Sequence, residues 1–294
     1  GITSVQDATV RNGIEQWQTF SKLKEKAGTL VPRIRMMLGL HSLDGFKERG
    51  LYPGYSEHGI SVGSVKITLD ETKGWLNPPQ DELNEGVLRA HQSGYQIAIH
   101  AIEEDTVEAA IIALEYCLKI SPKVDHRHRV EHCSECPPRL LRRLRDIGAV
   151  VVTQPAFIYY SGERYLKDVP DTQLPWLYRT KSFLENGLRP AASSDCPVVP
   201  CNPLVGIYAA VTRRAESGQI LSPEEVVTPI EALTMYTMGG AYAAFEEHFK
   251  GSVEVGKLAD MVVLSADPTS ASPDEIKEIK VEKTIIGGEV VWEA

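Results

Sequence analysis

The sequence predicts an α/β fold: a (β/α)8 TIM-type barrel, incomplete at its N-terminus, plus a small C-terminal β satellite. Three observations carry this expectation. Short β-rich runs alternate with helical stretches, which implies a parallel sheet with right-handed crossovers. Polar residues fall at or near the C-terminal ends of several different strands, at Asp7, Lys66, His100, His132, Gln154 and Asp195, as in a barrel active site. No G-x-G-x-x-G follows an early strand, so a dinucleotide-binding doubly wound sheet is disfavoured.

Each element has its own signal. Gly1–Ala8 reads as a strand, and the apolar spacing of 14–27 as an amphipathic helix. Strands follow over 33–40 and 63–70, then a helix over 81–93 that stops at Gly94. The run 96–102 (QIAIHAI) is a strand leading into a helix to about Ile120. The segment 129–133 is the next strand, and 138–147 a helix closed by Gly148. The run 149–154 (AVVVTQ) is a near-continuous apolar strand, suited to burial on both faces. A helix over 175–186 and a strand over 188–195 end the series. That makes seven strands, and a closed barrel needs eight.

After Asn202 the texture changes. Helices are expected over 202–217 and 222–245, the second opened by a capping box of Ser222 and Glu225. Gly287-Gly288, between apolar runs, is a hairpin turn. The expected division is a barrel with its C-terminal helices over 1–250 and a small β-sandwich portion over 251–294.

The chain of 294 residues carries 31 Lys and Arg against 40 Asp and Glu, a net charge of -9. An acidic surface argues against nucleic acid or anionic membrane as the main partner. No apolar run approaches the roughly 18 residues of a membrane span. Five cysteines, an odd number, do not make a disulfide framework, so a reducing, cytoplasmic setting is expected. Cys133 and Cys136 form a C-x-x-C with no second pair at zinc-finger spacing and read as incidental thiols.

Alternation puts His100 on one strand face with Ala98, and His132 closes its own strand in the same manner. Two histidines at the ends of successive parallel strands would face each other across a barrel mouth, where neutral imidazoles make good metal ligands. Asp195, after four small residues, suits a carboxylate that touches a metal and accepts a proton from water. Lys66, between Val65 and Ile67, is costly to bury charged. It reads as a snorkelling edge residue, a Schiff-base nucleophile, or a lysine carboxylated to bridge metals.

These motifs appear in a telling order: Lys66, H-A-I-E-E-D from His100, V-E-H to His132, Q-P at Gln154 and S-S-D to Asp195. The tail reads G-S-V-E-V-G-K-L-A-D-M-V-V-L over 251–264. Together they resemble the amidohydrolase superfamily, and within it the YtcJ-like (amidohydrolase-3) branch. The resemblance implies a metal-dependent hydrolase that cleaves an amide-like C–N bond with metal-activated water. It makes His100 and His132 metal ligands, Asp195 the catalytic base that also touches metal, and Lys66 the carboxylated bridging lysine. The pair after that lysine is Asp70-Glu71, without the glycine usual in the family.

The same resemblance implies a divalent metal, zinc foremost, and a small-molecule substrate; a homo-oligomer remains open. It also places an H-x-H on a first barrel strand, ahead of the G-I-T-S-V segment. The one H-x-H in this chain, His126 and His128, starts a strand and is expected to be exposed at the wrong barrel end. The chain is therefore expected to be the C-terminal portion of a longer enzyme, with at most one weak metal site of its own. Glu131 or Asp105 would orient the ligands, and the aromatic stretch 157–165 would line a pocket or simply pack. Two rival readings stand beside this one: a Schiff-base lyase using Lys66, and a non-catalytic or incomplete subunit that needs an N-terminal partner.

Overall fold

The computed structural model describes residues 1–70 and 75–294. Glu71, the second residue of the Asp70-Glu71 pair, lies outside the described residues. Seven parallel strands form one curled half-barrel sheet in the order β1 (Ser4–Asp7), β2 (Arg33–Gly39), β4 (Ile60–Thr68), β5 (Ile97–Ala101), β6 (Arg129–His132), β7 (Val150–Thr153) and β8 (Ala191–Ala192). A two-residue strand that the sequence did not suggest, β3 (Ser56–Glu57), pairs antiparallel with β4. The expected parallel barrel-type sheet with seven strands is thus observed.

Helices α1 (Ile14–Ala27), α2 (Leu43–Glu48), α3 (Gln80–Gln92), α4 (Glu104–Ile120) and α5 (Pro138–Ile147) connect the first strands. Their starts and stops have local causes. Pro138 sits in the first turn of α5, where a missing N–H costs nothing. Gly148 ends that helix in the left-handed conformation, with its N–H on the Arg145 and Leu144 carbonyls. Leu140, Leu141 and Leu144 share one buried face of α5. They join Ile97, Ile99, Ala101, Val130 and Val151 in the main core, so the odd-numbered residues of β5 face the helices. Ala98 and His100 therefore face the inside of the curl.

Helix α6 (Ala156–Asp168) contains the aromatic stretch, α7 (Thr180–Glu185) follows, and β8 is only two residues long, shorter than the expected 188–195. Helix α8 is Pro203–Thr212, capped by the Asn202 side chain on Leu204 N–H. The capping box expected at Ser222 is not there. Ser222 has φ +46 and makes no side-chain cap. The box belongs to Thr228 and Glu231, at the start of α9 (Pro229–Thr234). Glu225 is instead buried, and takes hydrogen bonds from Arg179 and from the Ser182 N–H. A π-helical turn over Met235–Gly239 leads into α10 (Gly240–Ala243). It brings Gly239 flush against β8, where a Cβ would lie 2.5 Å from the Pro190 carbonyl oxygen.

A separate antiparallel sheet contains β9 (Met261–Leu264), β10 (Val281–Ile286) and β11 (Glu289–Glu293). Gly287 and Gly288 form the expected turn with φ +62 and +86, values that glycine adopts without strain. A bidentate pair ties this sheet to β2: Arg33 Nε and Nη2 donate to Asp260 at 2.7 and 3.0 Å. Among the described residues no helix is long and apolar enough to cross a membrane.

Candidate metal centre

The strand register sets the site. Thr68 lies beside His100, and Ala101 beside His132, so both histidines reach the C-terminal ends of adjacent parallel strands. Their ring centroids are 4.4 Å apart with an interplanar angle of 73°. Strand alternation alone would put His132 with Val130, on the helix side. Its φ of +70 turns it back over the strand end. A left-handed backbone costs a non-glycine residue about 1–2 kcal/mol, and Cys133 (φ +49) and Asp195 (φ +55) share the conformation. Such outliers collect at functional sites.

Gln154, just beyond β7, accepts a hydrogen bond from His132 Nδ1 at 2.8 Å. The Gln154 amide can accept there because its NH2 donates elsewhere, to Ser193 Oγ at 2.9 Å and to the Val152 carbonyl. This assigns the tautomer of His132 and leaves Nε2 with a free lone pair. The His100 imidazole makes no hydrogen bond among the described residues, although its carbonyl accepts from the Leu69 N–H at 3.2 Å. Burial first, and then His132 and Lys66, push the His100 imidazole down to about 3. Burial also lowers His132, with Asp195 opposing it. Both rings are therefore neutral at pH 7, the form that binds metal.

Lys66 points into the curl two residues before Thr68, and is buried. Burial depresses its amine, opposed by Glu131 and Asp195 and aided by Arg129. Glu131 is wholly enclosed: burial raises its carboxyl, but Arg129 and Lys66 overcome this and hold it low. Arg129 grips Glu131 bidentately at 2.7 and 3.0 Å, and its Nη1 reaches Gln6. Among the described residues Glu131 hydrogen-bonds Arg129 rather than either histidine, and acts on His132 only through its charge. Asp105 is exposed in the first turn of α4. Gln154 fills the orienting role instead.

Asp195 lies at the exposed rim after β8, close enough for its charge to act on His132 and Lys66. From the aromatic stretch, Phe157 reaches the site, its ring 6.4 Å from His132 and roughly parallel to it. Sequence reasoning missed the Arg129–Glu131 pair. The available signal was R-x-E at two-residue spacing in a strand, which puts both charges on one face.

His126 and His128 are not exposed as expected: they are 4% and 0% accessible. His128 lies against His91 of α3, and His126 Nε2 reaches the Ile147 carbonyl at the end of α5 at 2.7 Å. His91, Cys117 and His128 offer ligand atoms that all lie within 4.8 Å of one another, so this group could in principle hold an ion. The hydrogen bonds oppose that. His128 Nδ1 accepts from the Ile97 N–H at 3.1 Å, so its Nε2–H donates to His91 Nδ1 at 2.8 Å. His91 Nε2–H then donates to the Ser121 carbonyl at 2.7 Å. Metal on His128 Nε2 would place a proton on Nδ1, facing the Ile97 N–H. Burial also raises the Cys117 thiol to about 12, far from the thiolate a metal needs. The cluster reads as a closed structural relay, whereas His100 and His132 keep free nitrogens at the strand ends.

Comparisons with known proteins place the sequence and the fold. The sequence model of the amidohydrolase family matches residues 1–292. The putative amidohydrolase YtcJ of Bacillus subtilis is 28% identical over 287 residues, covering 95% of this chain and 50% of that protein. The N-substituted formamide deformylase of Arthrobacter pascens is 29% identical over 250 residues, covering 79% of this chain and 46% of that protein. The chain thus spans about half the length of these curated relatives. An uncharacterized metal-dependent hydrolase from Pyrococcus furiosus superposes with a TM-score of 0.77 at 26% identity, over 92% of this chain and 57% of that one.

Proposed function

The chain belongs to the amidohydrolase family, and from that premise we propose that it carries the catalytic end of a metal-dependent hydrolase acting on an amide-like C–N bond. One observation carries the reading: His132, pinned through Nδ1 by Gln154, keeps Nε2 free beside the His100 ring, which makes no hydrogen bond among the described residues. Both rings are held neutral at the C-terminal edge of a parallel sheet. His100, His132 and, after carboxylation, Lys66 would hold a divalent metal, with zinc the first candidate. When bound, the metal would supply a lowered pKa for water and polarisation of the scissile carbonyl.

The chain's own residues do the rest. Asp195, at the rim, accepts a proton from the attacking water and returns it to the leaving nitrogen. Gln154 holds the His132 ring in register. Phe157 walls the site on the His132 side and limits water there. Burial shifts Lys66 towards the neutral amine, which is the form that reacts with carbon dioxide to give a carbamate. The substrate is proposed to be a small molecule with an amide or N-acyl group, in keeping with the deformylase relative. The same reading divides the chain into barrel and helices over 1–250 and a small β unit over 251–294.

The test is hydrolysis of a panel of N-formyl and N-acyl amines by the zinc-loaded protein and its Asp195→Asn variant. The variant is expected to keep its metal and lose turnover by about 10²–10⁴-fold, the scale of general acid–base catalysis. Equal turnover in the two proteins would remove Asp195 from its role. A second reading rests on the buried, depressed Lys66, which also suits a Schiff-base nucleophile. Borohydride trapping of a carbonyl substrate on Lys66 would favour it.

A further inference from the structure

The opposite end of the curl holds a second feature that the hydrolase reading does not use. A cavity of about 390 Å³ lies among the N-terminal ends of β2, β4 and β5, lined by Arg33, Arg35, Lys123, Glu246, Lys250 and Phe249, among others. Its charges are unbalanced. Arg33 is satisfied by Asp260 outside the lining. Arg35 and Lys250 share a single carboxylate, Glu246. Lys250 makes the close contact, and also donates to Ser4 Oγ at 3.2 Å. Arg35 stays 3.6 Å from Glu246, past hydrogen-bonding reach, and its buried Nε has no acceptor.

A guanidinium presents five N–H donors, and buried ones are almost always paired. The Arg35 side chain is 11% exposed, so what it shows to solvent lies largely along the cavity. Burial lowers its pKa, against the pull of Glu246, and Arg129 adds to the lowering. Lys123 contributes another positive charge on an otherwise acidic protein. A planar guanidinium whose buried Nε lacks an acceptor, next to a cavity with a net positive lining, fits a planar or tetrahedral oxyanion.

We propose that this cavity is an oxyanion-binding site, taking a small carboxylate or phosphate group on the Arg35 fork with Lys250 as second charge. It lies at the far end of the strands from His100 and His132. It does not depend on the hydrolase reading. Binding is measured by isothermal titration with inorganic phosphate and, in a separate arm, acetate, each at constant ionic strength against chloride. Saturable binding of at least one of them is expected, and the arm that binds tighter identifies the chemistry.

Arg35→Met should weaken binding by about tenfold or more, the loss of a charge-assisted fork. Glu246→Gln should tighten binding, because the competing carboxylate is gone. That variant also keeps the proposal testable if Arg35→Met does not fold. His132→Ala should leave binding unchanged, which separates this cavity from the strand-end site. The proposal is overturned by chloride-like behaviour of both anions, by wild-type affinity in Arg35→Met, by unchanged or weaker affinity in Glu246→Gln, or by loss of binding in His132→Ala.

Discussion

His132 donates Nδ1–H to Gln154 across neighbouring strands at 2.8 Å, and that bond turns a histidine at a strand end into an oriented nitrogen donor. Without it the ring could adopt either tautomer and swing between Phe157 and His100.

Gln154→Leu is therefore expected to lower metal affinity by about 10–100-fold, the usual cost of losing a ligand's orienting partner. Competition with a chromophoric chelator measures this. Unchanged affinity would show that the ring is held by packing alone.

The Arg129–Glu131 pair should be structural. Arg129→Met leaves an enclosed carboxylate without its bidentate partner, and is expected to cost about 3–5 kcal/mol. Urea denaturation reads this out. A loss below about 1 kcal/mol, the range of a surface pair, would mean that water reaches Glu131.

Gly239→Ala tests how β8 is positioned. The new methyl would meet the Pro190 carbonyl oxygen at 2.5 Å, and backbone cannot step aside cheaply. A loss of about 1–3 kcal/mol is expected, with reduced turnover because the segment leading to Asp195 moves. Wild-type stability would show that the π-helical turn yields instead.

The buried histidines His126 and His128 make stability pH-dependent. Burial lowers His128 well below its ordinary value, and lowers His126 as well. Between the folded and unfolded values the unfolded chain binds more protons, so stability falls as pH drops below about 6.5 and is full above it. His126→Gln should show a shallower loss than the wild type between about pH 7 and pH 5.5, a window set by that unfolded value. Equal slopes would show that His126 titrates alike in the folded and unfolded chain.

Much of the architecture was legible because it rests on local rules. The bounds of α1 and α5 agree with those read from apolar spacing, Pro138 and Gly148. The Gly287-Gly288 turn follows from the left-handed conformation it needs. Elements governed by tertiary contact were less readable. Strand β8 shrinks to two residues because the chain after Ala192 turns out to the rim. Ser222 looked like a cap, but Glu225 is drawn inward by Arg179 and Ser182 instead. His128 is buried because its partners, Ile97 and His91, come from elements far away in the sequence. At the site, the pairing of His100 with His132 was readable from strand ends, whereas Gln154 as the orienting group was not. Its role depends on the register of β6 against β7 and on the positive φ of His132, neither of which has a residue-type signal.

Divalent metal titration of the wild type, the His100→Ala/His132→Ala double variant and His91→Ala tests the assignment most directly. Binding is expected in the wild type and in His91→Ala, and should be lost in the double variant. Retention in the double variant, or loss in His91→Ala, would contradict a metal centre at the strand ends and move it to the buried relay.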